Sequence, residues 1–135
     1  MNKYESKQHQ ILLPAEQIFT AISRFDNLTP AIGDKVEEWQ ASENDCSFKA
    51  KGFTVKLHID ERVAPKHVKI TGSDVPLDFA FWIQLHSASE QDTRLRLVLH
   101  AELNMMMKMM IGSKLQDGLD QMAEAIARGF ANIPR

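Results

Sequence analysis

Between Lys35 and Leu103, apolar and polar side chains alternate with a period of two, and this alternation is the strongest constraint on the fold. A period of two is typical of strands that bury one face. Short turns interrupt the alternation at Glu43–Asn44, Lys51–Gly52 and Ala64–Pro65. The pattern therefore predicts six strands that follow one another in an antiparallel meander and share a single apolar face.

The turn positions allow a test of this prediction, because each hairpin must keep its apolar residues on one side of the sheet. The turns impose these pairings: Ala41 with Cys46, Trp39 with Phe48, Ala50 with Phe53, Phe48 with Val55, Cys46 with Leu57, Ile59 with Ile70, Asp60 with Lys69, and Arg62 with His67. Apolar residues meet apolar ones and polar residues meet polar ones. The three hairpins thus agree on which face is buried.

The segments around the meander complete the fold. Residues 2–12 predict a seventh strand at one edge, and Pro14 begins a short helix. A second short helix or turn follows and ends at Gly33, and a loop over 72–77 leads to the last two strands.

The C-terminal segment predicts a long amphipathic helix that Asn104 caps. Its apolar positions recur at steps of three and four: Met107, Ile111, Leu115, Leu119, Met122, Ile126, Phe130 and Ile133. This stripe suits a cover for the apolar face of the sheet. We therefore predict one α+β domain over residues 1–135, with a curved antiparallel sheet of about seven strands, two short helices after the first strand, and a long closing helix.

This order of elements resembles the START-like superfamily, also called SRPBCC, whose members have the helix-grip fold. The likeness rests on Leu13–Phe19, similar to the family's proline-led first helix, and on Asp60–Val68, similar to its proline-bearing hairpin. Phe81–Leu85, Ala101–Asn104 and Met107–Lys108 resemble a small bacterial branch. The superfamily includes polyketide cyclases and lipid-transfer domains. The resemblance implies an apolar cavity between sheet and helix, but it implies no particular reaction.

Composition and charge exclude several classes of function. A net charge of −2 provides no general attraction to nucleic acid or to an anionic membrane, so no nucleic-acid partner is expected. The apolar runs are too short for stable membrane insertion, and the polar residues 1–10 do not form a signal peptide. A single cysteine, Cys46, forms no internal disulfide. We expect a cytoplasmic protein without a cofactor.

The predicted function is binding of a small hydrophobic or amphipathic ligand between the sheet and the C-terminal helix. The candidate binding residues are Phe48, Val55, Leu57, Phe81, Ile83, Leu97, Leu99, Met106, Met107 and Met110, together with Glu61. Five of the seven methionines lie between Met105 and Met110. Flexible thioether side chains suit either a pocket mouth, a partner surface or the filling of an irregular core gap.

Two other functions stay open. In a cyclase- or hydratase-like enzyme, Glu61 or another inward-facing polar group acts as the general base. In an interaction domain, side chains fill the cavity, and the methionine segment or Trp82 contacts a protein partner or a second copy. The five histidines do not converge on a metal site, and the buried position predicted for Cys46 suits an inert thiol better than a nucleophile.

Overall fold

The structure, a computed structural model, describes residues 2–50, 53–72 and 78–131. Within these residues the strands are β1 (Asn2–Glu5), β2 (His9–Ile11), β3 (Glu37–Ala41), β4 (Asp45–Ala50), β5 (Phe53–Val63), β6 (His67–Gly72), β7 (Phe79–Ser89) and β8 (Asp92–Ala101). The α-helices are α1 (Ala15–Ile22), α2 (Thr29–Ile32) and α3 (Met105–Ala131), with 3-10 helices at Phe25–Leu28 and Gly33–Lys35. The predicted α+β class is confirmed.

The described strands form one antiparallel sheet in the order β1-β8-β7-β6-β5-β4-β3, and β2 also pairs with β8. The predicted edge strand is therefore split into β1 and β2. Between them, Ser6 keeps the chain attached to β8. Its backbone N–H donates to the Leu97 carbonyl at 2.9 Å, and its hydroxyl accepts from the Leu97 N–H at 2.9 Å.

The register agrees with the turn positions along most of the meander. The confirmed pairs are Ala41 with Cys46, Ala50 with Phe53, Phe48 with Val55, Cys46 with Leu57, and Ile59 with Ile70. The turn residues Lys51–Gly52, loop residues 73–77 and Ile133 lie outside the described residues. The inner face of the sheet is thus the apolar face that the alternation predicts.

A bulge in β5 overturns part of the predicted pairing. It lies between Ile59 and Glu61, so that Glu61 rather than Asp60 is opposite Lys69. Asp60 remains close enough for its Oδ2 to lie 3.7 Å from the Lys69 Nζ. Because a bulge adds one residue to one strand, it reverses the inside–outside alternation beyond it.

The same bulge turns Arg62 toward the inner side of the sheet. Val63 lies opposite His67, whereas Arg62, predicted to be there, lies opposite Val68. The Arg62 guanidinium donates to the carbonyl of Ser23, the C-terminal cap of α1, at 3.0 and 2.8 Å. Arg62 therefore satisfies a carbonyl that the end of α1 leaves free.

A second bulge interrupts β3 between Glu37 and Gln40. Glu38 has a φ of 54°, a conformation that residues other than glycine rarely adopt. The rings of Trp39 and Phe48 nevertheless lie 6.2 Å apart, so the predicted neighbours stay in contact although the ladder is irregular.

The helix α3 closes the apolar face. Met107 N–H donates to the Asn104 Oδ1 at 2.8 Å, which confirms the predicted cap. Further along, Leu119, Ala123 and Ile126 are buried. Because α3 contacts β1, β2 and β8, it lies toward one side of the sheet rather than over its middle.

Candidate functional site

A groove of about 400 Å³ lies between α3 and the inner face of the sheet. It exists because α3 lies over the β1–β8 side, which leaves part of the inner face of β4 to β7 uncovered beside the helix. From the sheet it is lined by Phe48, Val55, Leu57, Phe79, Phe81 and Leu99. From the helical segments it is lined by Ile32, Lys35, Val36, Lys114, Leu115, Gly118, Leu119, Gln121, Met122 and Ala125.

Five of the residues that the sequence predicts for a cavity line this groove. They are Phe48, Val55, Leu57, Phe81 and Leu99. All five project from the inner face, because the confirmed register places Phe48 beside Val55 and Phe81 beside Leu99. The structure thus brings the strand half of the predicted site together.

Two other predicted residues lie in the packed core rather than in the groove. Ile83 is 1% exposed and Leu97 is 0% exposed. A small space of about 20 Å³ beside Ile83, Phe25 and Ile126 has room for about one water molecule. The inner end of the expected cavity is therefore filled by side chains, and the groove is its open remainder.

The predicted methionines do not line the groove. Met106 and Met110 are 71% and 65% exposed, and Met107 is half-buried. On α3 the lining begins only at Lys114, one turn beyond Met110. The methionine segment is neither the wall of the groove nor a plug in the core; it is an exposed apolar surface at the start of α3.

Glu61 also lies away from the groove. The bulge in β5 places it opposite Lys69 on the outer face, where its Oε1 is 3.8 Å from the His67 Nε2. The expectation that its odd-numbered position continues the inward set is wrong, because Asp60 is inserted before it. A general base at this position would have no access to a ligand in the groove.

Cys46 is a buried thiol on the inner face. Burial, together with the neighbouring Asp45 carboxylate, raises the pKa of Cys46 to about 12. Since the thiolate is the nucleophilic form, this side chain is unreactive near neutral pH. Among the described residues, no group of three or more His, Cys, Asp or Glu side chains is arranged to hold a metal ion.

The polar part of the groove is small and has one sign of charge. Lys35, Lys114 and Gln121 are its polar side chains, and no carboxylate is among its described lining residues. All three are exposed, whereas Phe81 and Leu119 are buried. The groove therefore combines an apolar floor with a hydrated, cationic rim.

Comparison with known families matches residues 34–133 to CoxG, a family named for a component of carbon monoxide dehydrogenase. The chain belongs to the CoxG family. The match contains β3 to β8 and the whole of α3, and thus every groove residue except Ile32. Comparison with curated protein sequences gives no match. None of the helices that the structure describes is long and apolar enough to cross a membrane.

Solved structures with the same architecture confirm the START-like helix-grip fold of this CoxG-family protein. TTHA0849 from Thermus thermophilus is 13% identical, with a TM-score of 0.72 over 96% of this chain and 97% of that one. Norcoclaurine synthase from Thalictrum flavum, solved in complex with dopamine and hydroxybenzaldehyde, is 11% identical, with a TM-score of 0.76 over 99% and 89%. At such identities the likeness shows the fold alone.

The CoxG-family chain also has a larger concavity of about 520 Å³, lined in part by Gln84, His86, Arg94 and Arg96. Its guanidinium groups have carboxylate partners. Arg94 Nε lies 3.0 Å from the Asp92 Oδ1, and Arg96 lies 3.5 Å from Glu5. Both arginines are thus ion-paired within the protein, although the buried Nε of Arg96 has no hydrogen-bond partner among the described residues. The groove beside α3, with its almost wholly apolar lining, is the better candidate site for a hydrophobic ligand.

Proposed function

We propose that this protein binds a small hydrophobic or amphipathic molecule in the groove between α3 and the sheet. The observation that carries the proposal is the space itself. A groove of about 400 Å³ with an almost wholly apolar lining stays open although the side chains around it are closely packed. Concave apolar surfaces with a few polar groups are typical of small-molecule sites.

The size of the groove suggests the strength of binding. Burial of roughly 300 Å² of apolar ligand surface contributes about 7 kcal/mol at ~25 cal/mol per Å². The translational and rotational freedom that the ligand loses on binding opposes this by at least about 4 kcal/mol. We therefore expect dissociation constants nearer to the millimolar and micromolar range than to the nanomolar range.

The two alternatives have less support. The catalytic alternative loses its named candidate base, because Glu61 lies on the outer face. The interaction-domain alternative requires a filled cavity, and only the inner end around Ile83 is filled. The fold neighbour norcoclaurine synthase is an enzyme, yet the fold alone transfers no reaction to this chain.

The test uses N-phenyl-1-naphthylamine, an uncharged dye whose fluorescence rises in apolar surroundings. We expect saturable binding to the wild-type protein and at least tenfold weaker binding to Gly118→Leu. A Cβ atom added at Gly118 meets nothing within 4 Å, and Gly118 lines the groove, so we expect the leucine side chain to occupy part of the groove.

Ser113→Leu is the matched control, because Ser113 is an exposed residue of α3 that is not among the groove residues. It adds the same side chain to the same helix and should leave dye binding unchanged. Absence of dye binding to the wild type, or equal binding to both variants, would refute the groove as the ligand site.

A further inference from the structure

The groove has two lysines at its rim that come from different parts of the fold. Lys35 ends the 3-10 helix before β3, and Lys114 lies in the third turn of α3. Neither side chain forms a hydrogen bond or an ion pair with a residue that the structure describes. Two unpaired ammonium groups thus border one apolar space.

Two arginines of the protein are arranged differently. Arg128 is hydrogen-bonded to Glu124, one turn before it on the same helix. Arg62 is held by the carbonyl of Ser23 and the side chain of Asn44. Lys35 and Lys114 therefore keep their charge available at the rim, and Gln121 adds an uncharged amide beside them.

Long lysine side chains can also cover apolar surface with their methylene stems while the ammonium group stays in water. If the lysines only cover apolar surface, binding should not depend on the charge of the ligand. If they recognise the ligand, binding should depend on its charge, because two cations beside a partly desolvated space attract an anion and repel a cation. The charge of the ligand therefore separates the two roles.

We propose that the ligand is an amphipathic anion, with an apolar body on the floor of the groove and an anionic oxygen head group against Lys35 and Lys114. This inference rests on the proposed function, since it needs the groove to be the binding site. A carboxylate and a phosphate monoester share the required chemistry. Both accept hydrogen bonds from lysine and are ionised at neutral pH.

The experiment measures displacement of N-phenyl-1-naphthylamine by four ten-carbon competitors, each below its critical micelle concentration. They are decanoate, decyl phosphate, 1-decanol and decylammonium. We expect the two anions to displace the dye at about tenfold lower concentrations than decanol, because exposed ion pairs contribute only a few-fold each. Decylammonium should be the weakest competitor.

Two double variants test the assignment of the lysines. Lys35→Gln with Lys114→Gln should remove the advantage that the anions have over decanol. Lys35→Glu with Lys114→Glu should reverse the order, so that decylammonium binds better than decanoate. The control is Lys66→Gln with Lys108→Gln, which removes the same charge from two exposed lysines outside the groove.

The outcomes separate this inference from the proposed function. If the dye binds and decanol displaces it as well as decanoate does, the groove binds ligands but the anion preference is wrong. An anion preference that survives in the glutamate variant would also overturn the role of these lysines. If neither dye nor competitors bind, the proposed function itself fails.

Discussion

The phenolic oxygen of Tyr4 lies 3.2 Å from the position that a Cβ atom would occupy on Gly112. This contact joins the edge strand β1 to α3, and the hydroxyl is buried without a hydrogen-bond partner among the residues that the structure describes. Glycine within a helix costs about 1 kcal/mol relative to alanine. At Gly112 the cost is offset because the missing side chain lets the helix approach Tyr4.

Substitution of the two glycines in the middle of α3 should have different effects. Gly118→Ala should raise the free energy of unfolding by about 0.5–1 kcal/mol, because nothing lies within 4 Å of the new methyl group. Gly112→Ala should be at least about 1 kcal/mol less favourable than Gly118→Ala, since Tyr4 must move. Urea denaturation of both variants measures the difference.

Tyr4→Phe provides the control for this contact. In its background, Gly112→Ala should regain most of the lost free energy, because the hydroxyl that meets the methyl group is gone. If Gly112→Ala is equally unfavourable with and without the hydroxyl, a neighbour other than the Tyr4 oxygen limits the approach.

Arg62 should stabilise the fold although it is exposed. Arg62→Ala removes hydrogen bonds to the Ser23 carbonyl and to Asn44, and should lower the free energy of unfolding by about 1–2 kcal/mol. Glu61→Gln, one residue away, should change it by less than about 0.5 kcal/mol. Without the bulge, Glu61 would face inward and Arg62 outward, and the order of the two effects would not be expected. Urea denaturation of the two variants therefore tests the bulge.

The sheet could be predicted from sequence because alternation and turn position are local signals. The pairing of Cys46 with Leu57 needs only the distance of each residue from the turn at 51–52. The bulge before Glu61 has no such signal. Neither the aspartate at 60 nor the glutamate at 61 is a residue type that marks a bulge. Alternation alone therefore predicts the wrong face for Glu61.

The candidate site was predictable on its strand side only. Val55 and Phe81 face inward because of their period, whereas Lys35 and Lys114 border the groove because α3 lies over β1 and β8. That lateral position is a tertiary property, which helical periodicity cannot encode. For the same reason the sequence predicts Met106 at a pocket mouth, although the first turns of α3 extend beyond the groove.

The buried thiol of Cys46 should make the protein less stable at high pH. Its pKa is raised from 9.0 to about 12, so the unfolded chain loses this proton first as the pH rises. The stabilisation is complete below pH 9 and is lost between pH 9 and pH 12. Between pH 9 and pH 10 the loss is about 1 kcal/mol.

Cys46→Ala isolates this contribution from the titration of lysine and tyrosine. The variant should be less stable than the wild type at pH 7, because a buried sulfur atom is missing. The difference should shrink by about 1 kcal/mol from pH 9 to pH 10 in urea denaturation. A constant difference across this range would mean that the thiol also titrates normally in the folded protein.

The exposed methionines of α3 should be oxidised before the others that the structure describes. Met105, Met106, Met109 and Met110 are 65–81% exposed, whereas Met107 and Met122 are half-buried. Mild treatment with hydrogen peroxide, followed by peptide mass spectrometry, should give sulfoxide first at the four exposed positions, because oxidation follows access to the sulfur.

The four sulfoxides should leave the free energy of unfolding nearly unchanged, since exposed side chains contribute little packing. In urea-unfolded protein all six sites should react at similar rates; equal rates in the folded protein would contradict the exposed placement of this segment.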